Sequence, residues 1–103
     1  MKQEIFESYI GTVCDRFSIK ESKELFTKNK RRDVVDARHV LYYMCHKRPM
    51  RIRYIQQYML DKGYDISHSS IIHGIKQVTK FVENDNDYKM LIQELESHVL
   101  QSE

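Results

Sequence analysis

The sequence predicts an all-α fold, with five to six short helices around one core, and three observations carry that expectation. Glycine and proline are scarce, three and one in 103 residues. No stretch alternates Val, Ile and Thr in the period-two pattern of a half-buried strand. Apolar residues instead return every three or four positions through most of the chain, the rhythm of helices buried along one side. At this length one domain over residues 1–103 is expected, because single domains commonly run to about 100–150 residues. The 41% hydrophobic fraction suits one modest core.

The first helix is expected over residues 3–17, where Ile5, Phe6, Tyr9, Ile10, Val13, Cys14 and Phe17 form a broad apolar stripe. Ser18-Ile19-Lys20 breaks the period, and residues 21–26 read as a short second helix packed through Leu25 and Phe26. Residues 27–32 hold no apolar side chain and four cations, Lys28, Lys30, Arg31 and Arg32, the composition of a surface loop. A third helix over residues 33–46 places Asp33 and Asp36 near its positive N-terminal end and turns Val34, Ala37, Leu41, Met44 and Cys45 inward. It must stop before Pro49, since the residue preceding proline is disfavoured in the helical conformation.

A fourth helix over residues 51–61 buries Ile52, Ile55 and Met59, with Gly63 placed as its C-terminal cap. The fifth starts at Ser67 and ends before Asn84-Asp85-Asn86-Asp87, a polar cluster that caps a last helix over residues 87–100. Leu91, Leu95 and Val99 of that helix are expected to rejoin the core.

Composition narrows the function classes. Cys14 and Cys45 sit inside apolar helical patterns without the spacing of a disulfide framework or a zinc site, so a reduced protein is expected. No apolar run nears the roughly 18 residues of a membrane span, and the N-terminal stretch has no signal-peptide core. A cytoplasmic protein is expected, with no membrane partner, no small-molecule substrate and no cofactor. The net charge of +2 conceals a strong polarity. Residues 28–53 carry nine cations against two acids, whereas residues 83–103 carry one cation against six acids. A +7 block inside a folded domain is an electrostatic footprint for a polyanion, because Lys and Arg displace the counterions condensed on phosphates; the plainer alternative is a solvated helix face.

The run Ser67-His68-Ser69-Ser70-Ile71-Ile72-His73-Gly74-Ile75-Lys76 gives that block a counterpart. With Ser67 as N-cap, Ile66 and Ile71 take the positions of a hydrophobic staple. Ile71, Ile75, Val78 and Val82 then define a buried face, and Ser69, His73, Lys76 and Lys80 a polar, partly basic one on the other side. A helix, a turn containing Gly63 and a second helix opening on small donors make a helix-turn-helix, whose second helix reads base edges in the major groove.

Catalysis fits the same run less well. Ser69 and His73 are one turn apart, but no carboxylate is placed to orient the histidine. His68 and His73 diverge by about 140° around the helix, a poor pair of metal ligands. His39 and His98 read as surface or boundary residues. No enzyme and no metal site are expected.

These features in order resemble the C-terminal DNA-binding domain (domain IV) of the bacterial replication initiator DnaA, a helix-turn-helix of the Trp-repressor-like type. The likeness runs from about Tyr9 to Leu100. The family opens its recognition helix with His-Thr-Thr followed by Val-Leu-His-Ala; here the run is His68-Ser69-Ser70-Ile71-Ile72-His73-Gly74. The family's basic loop corresponds to Lys28-Asn29-Lys30-Arg31-Arg32 and its internal arginine to Arg38.

The resemblance implies sequence-specific binding of double-stranded DNA, in regulation of replication or transcription. His68, Ser69 and Ser70 would meet bases or phosphates, Lys30, Arg31 and Arg32 the minor groove and backbone, and His46 and Lys47 nearby phosphates. Lys28 shares the loop, Ser67, His73 and Lys76 share the polar side of the recognition helix, and Arg48, Arg51 and Arg53 are placed to add backbone contacts.

Three departures stand out. Ile66-Ser67 replaces the family's Arg-Asp before the histidine, residues 60–66 exceed its short turn, and no phosphate-binding Gly-rich motif of an ATPase occurs. The chain is therefore expected to be a free-standing version of the domain or a fragment of something longer. The competing expectation is a module that keeps the fold but binds a replication or transcription protein.

Overall fold

The computed structural model describes residues 2–102, with side chains described for residues 2–97. Helix α1 (Lys2–Arg16) is followed by a 3-10 helix (Ser22–Phe26), α2 (Arg32–Lys47), α3 (Ile52–Asp61), α4 (His68–Asn84) and α5 (Asn86–Ser102). No strand occurs among the described residues, and the fold is all-α.

Local chemistry explains where the helices stop. Ser18 adopts a left-handed φ of 56°, and past it the Ile19 amide donates to the Cys14 carbonyl at 2.8 Å, which closes α1 and turns Ile19 into the core. Helix α3 ends the same way around Gly63, whose φ of 93° is the conformation glycine adopts without steric cost. There the Gly63 amide donates to Leu60 at 2.8 Å and the Tyr64 amide to Met59 at 2.9 Å, the paired bonds of a Schellman motif. At the start of α5 the Asp85 carboxylate accepts from the Asp87 and Tyr88 amides, so Asp85 is the cap and the helix begins at Asn86, one residue before the expected start.

Helix α2 is the hub and packs most heavily against α4, then α1. Its buried face is wider than its periodicity suggested. Val40 and Tyr42 are enclosed together with Val34, Ala37, Leu41, Met44 and Cys45, because neighbours cover it on several sides. Met50, grouped by sequence with the charged exit of that helix, is buried. In α5 the enclosed residues are Ile92 and Leu95, while Leu91 is half-buried; the side chains of His98 and Val99 lie outside the described residues. Ile52, Ile75 and Val82, expected to be buried, are half-buried at the rim of the core.

Gly74 has a packing reason. A Cβ there would sit 2.7 Å from His39 Cδ2 and 3.0 Å from Tyr42 Cδ2, so the mid-helix glycine permits the close approach of α4 to α2. That closeness compensates for the roughly 1 kcal/mol of helix propensity that Gly gives up against Ala.

Candidate nucleic-acid interface

The mouth of α4 is built as a capped, exposed helix start. Ser67 has extended backbone and its Oγ accepts from the Ser70 amide at 3.1 Å, while the two hydroxyl oxygens lie 3.1 Å apart. Ser67 and Ser70 thus bond each other, and all four residues from Ser67 to Ser70 stand exposed at the helix start. Ile71 behind them is fully buried and anchors the turn to the core. Ile72, which sequence reasoning passed over, is 40% exposed on the same stretch, beside exposed His73 and Lys76.

His73 meets a partner the sequence did not reveal. Its ring stands edge-on to that of His39 on α2, with centroids 5.9 Å apart. Burial lowers the pKa of His39 from its ordinary 6.5, His73 and Arg38 push the same way, and Asp36 opposes them. The unfolded chain therefore binds this proton more readily than the folded one. The contribution to stability is present above about pH 6.5 and is lost as pH falls through the lowered value. The thermal midpoint is expected to drop between about pH 7 and pH 5, and His39→Gln to flatten part of that drop; a calorimetric pH series on both proteins checks it.

The basic loop is shaped from beneath by one residue. Arg38 on α2 is only 6% exposed. Its Nε donates to the Leu25 carbonyl at 2.7 Å, and its Nη2 donates to the carbonyls of Thr27 and, at 3.0 Å, of Asn29. Three backbone carbonyls on or just before the loop are thus tied to one guanidinium, a fork geometry that lysine lacks. The loop's own Asn29 Oδ1 accepts from the Arg31 amide at 2.8 Å. On top, Lys28 and Lys30 are exposed. Arg31 bridges Asp33 at 3.1 Å and Glu24 at 3.4 Å, and Arg32 bridges Asp36 at 3.4 Å. The Arg31 guanidinium holds the Asp33 carboxyl below its ordinary pKa. Both arginines are exposed while Glu24 and Asp36 are half-buried, and surface pairs of this kind are worth little in water, so both arginines remain exchangeable toward phosphate.

The remaining cations of the +7 block go elsewhere. Lys47 reaches Glu96 on α5 at 3.6 Å, and half-buried Arg48 donates to the Tyr9 hydroxyl on α1 at 3.3 Å. His46 is exposed, with Nδ1 3.4 Å from the Met50 carbonyl. Arg51, at the N-cap of α3, is exposed, and Arg53 beside it donates to the Tyr54 hydroxyl at 3.1 Å with its guanidinium over that ring. Residues 47 and 48 lie at the far end of α2 from the loop, about 22 Å along the axis at 1.5 Å per residue. The block is therefore divided: Lys28, Lys30, Arg31 and Arg32 cluster at one end of α2, while Lys47 and Arg48 are engaged with α5 and α1 at the other.

The turn between α3 and α4 joins the loop to the helix mouth. Tyr64 lays its ring against the Arg38 guanidinium, 4.8 Å from carbon to centroid, and Gln56 Nε2 donates to the Ile66 carbonyl at 2.7 Å. Cys14 and Cys45 are buried and unpaired with each other, and burial pushes both thiols above their ordinary pKa. Among the described residues no helix is long and apolar enough to cross a membrane.

No family model matches the chain. Curated proteins do. Over 95 residues, 91% of the chain, it is 27% identical to the chromosomal replication initiator protein DnaA of Campylobacter jejuni. It is 31% identical over 93 residues to DnaA of Mycoplasma genitalium, and 25% over 97 residues to DnaA of Campylobacter fetus. The chain is homologous to one segment of DnaA. It spans about a fifth of the length of the DnaA proteins it matches, while they cover nearly all of it. Loop, turn and α4 therefore all fall in a stretch alignable with DnaA.

Proposed function

We infer that the protein binds double-stranded DNA sequence-specifically through a helix-turn-helix formed by α3 and α4, and regulates replication or transcription. Helix α4 enters the major groove with His68, Ser69, Ser70, His73 and Lys76, and the loop of Lys28, Lys30, Arg31 and Arg32 follows the adjacent minor groove and backbone. Arg51 and Arg53, at the start of α3, are the further phosphate contacts. The observation that carries this reading is the junction of an exposed serine-histidine helix mouth to a cationic loop through Tyr64 and Arg38, in a chain homologous to DnaA. We read the protein as a binder and not an enzyme: Ser67 and Ser70 bond each other, and the ring of His73, the histidine one turn from Ser69, stands against His39.

The test is fluorescence anisotropy with a random duplex pool at two salt concentrations, followed by sequencing of the retained DNA. Steep salt dependence with an enriched motif supports the reading; steep dependence without enrichment leaves a nonspecific binder. No binding at low salt would sink it in favour of the alternative, a module that docks on a replication or transcription protein. Arg31→Ala with Arg32→Ala is expected to weaken binding to every duplex and lower the salt slope by about two, one for each lost phosphate contact. An unchanged slope would remove the loop from the interface.

A further inference from the structure

The turn between α3 and α4, residues 62–67, is not slack. Tyr64 is held twice. Its amide donates to Met59 at 2.9 Å, which fixes its backbone to the end of α3, and its ring faces the Arg38 guanidinium at 4.8 Å. Two residues on, the Ile66 carbonyl accepts from Gln56, so the strand of turn leading into the Ser67 cap is pinned on both sides of exposed Asp65. Arg38 in turn holds the carbonyls of Leu25, Thr27 and Asn29. A continuous path of contacts therefore runs from the basic loop through Arg38 and Tyr64 to the mouth of α4.

We propose that Tyr64 is a positioning residue that sets the distance between the basic loop and the recognition helix by stacking on Arg38, and so determines which duplex sites satisfy both elements at once. The proposal rests on the DNA-binding reading for its consequence but not for its physics. The ring is the active part. A guanidinium is attracted to the face of an aromatic ring, so phenylalanine preserves the contact while leucine, apolar and of moderate volume, does not. A residue that merely filled space would tolerate leucine.

Two readouts decide it. In the free protein, nuclear magnetic resonance of Tyr64→Leu is expected to shift the Arg38 Nε–H and the amides of residues 28–31 while α1 amides stay in place and helical content is unchanged. With DNA, the ratio of affinities for a selected site and for random duplex is expected to fall about three- to thirtyfold, the range that loss of one cation–π contact allows. Tyr64→Phe is expected to match wild type in both. Retained discrimination in Tyr64→Leu overturns the proposal, as does equal loss in leucine and phenylalanine variants, which would assign the effect to the hydroxyl. Wild-type protein that binds no duplex overturns the DNA reading instead. In that event an undisturbed loop in free Tyr64→Leu still overturns the coupling, and a shifted one upholds it.

Discussion

Ser69→Glu is expected to reduce duplex affinity about a hundredfold or more at low salt, with helical content and thermal midpoint preserved. The two halves of that result have separate causes. Ser69 is the second residue of α4, exposed and outside the Ser67–Ser70 hydrogen bonds, so nothing in the fold depends on its hydroxyl. A carboxylate in the first turn of a helix is favourable to the helix dipole, by about 0.3–1 kcal/mol. Set against phosphates and base acceptors the same charge costs several kcal/mol, and about 1.4 kcal/mol is a factor of ten in affinity. Anisotropy titrations and circular dichroism on one preparation measure both. Retained affinity would place the mouth of α4 outside the interface, and lost helix would make Ser69 structural.

Arg38→Met is expected to lower unfolding free energy by about 2–3 kcal/mol, since a buried carbonyl left without its donor costs about 1–3 kcal/mol. The Leu25 carbonyl lies in the interior, whereas those of Thr27 and Asn29 lie nearer solvent and regain water, which keeps the total below three full penalties. Urea titration should show a lower midpoint with an unchanged slope. Arg38→Lys should recover little, because a single ammonium cannot span carbonyls that the planar fork reaches together. A loss below about 1 kcal/mol would mean the loop holds its shape without this network. Affinity for DNA should fall in both variants, because the loop's cations then sample positions away from the groove.

Much of the architecture was legible in single stretches of sequence. The helices follow from apolar spacing, and the ends follow from local chemistry: Ser67 as cap, Gly63 in the left-handed conformation, Asp85 in a polar cluster. The central charge block was legible as a number. Its destinations were not, and neither was Ile19 as the buried close of α1 or Met50 as core, because both sit in stretches without a helical period.

Caps and turns are written locally because donor and acceptor lie no more than five residues apart, as in Ile19 to Cys14 and Tyr64 to Met59, so nearby residue types suffice to specify them. The site is assembled differently. Arg38 meets a carbonyl 13 residues away and Arg48 a hydroxyl 39 residues away. His39 reaches His73 where α4 packs closely on α2 across Gly74, and Arg38 reaches Tyr64 in the turn that leads into α4. Sequence pattern therefore determined the class of fold, the helix mouth and the existence of a cationic loop. Which cations remain exposed, and what couples that loop to the helix, was decided by packing, since long side chains take the partners that burial and helix crossings bring within reach.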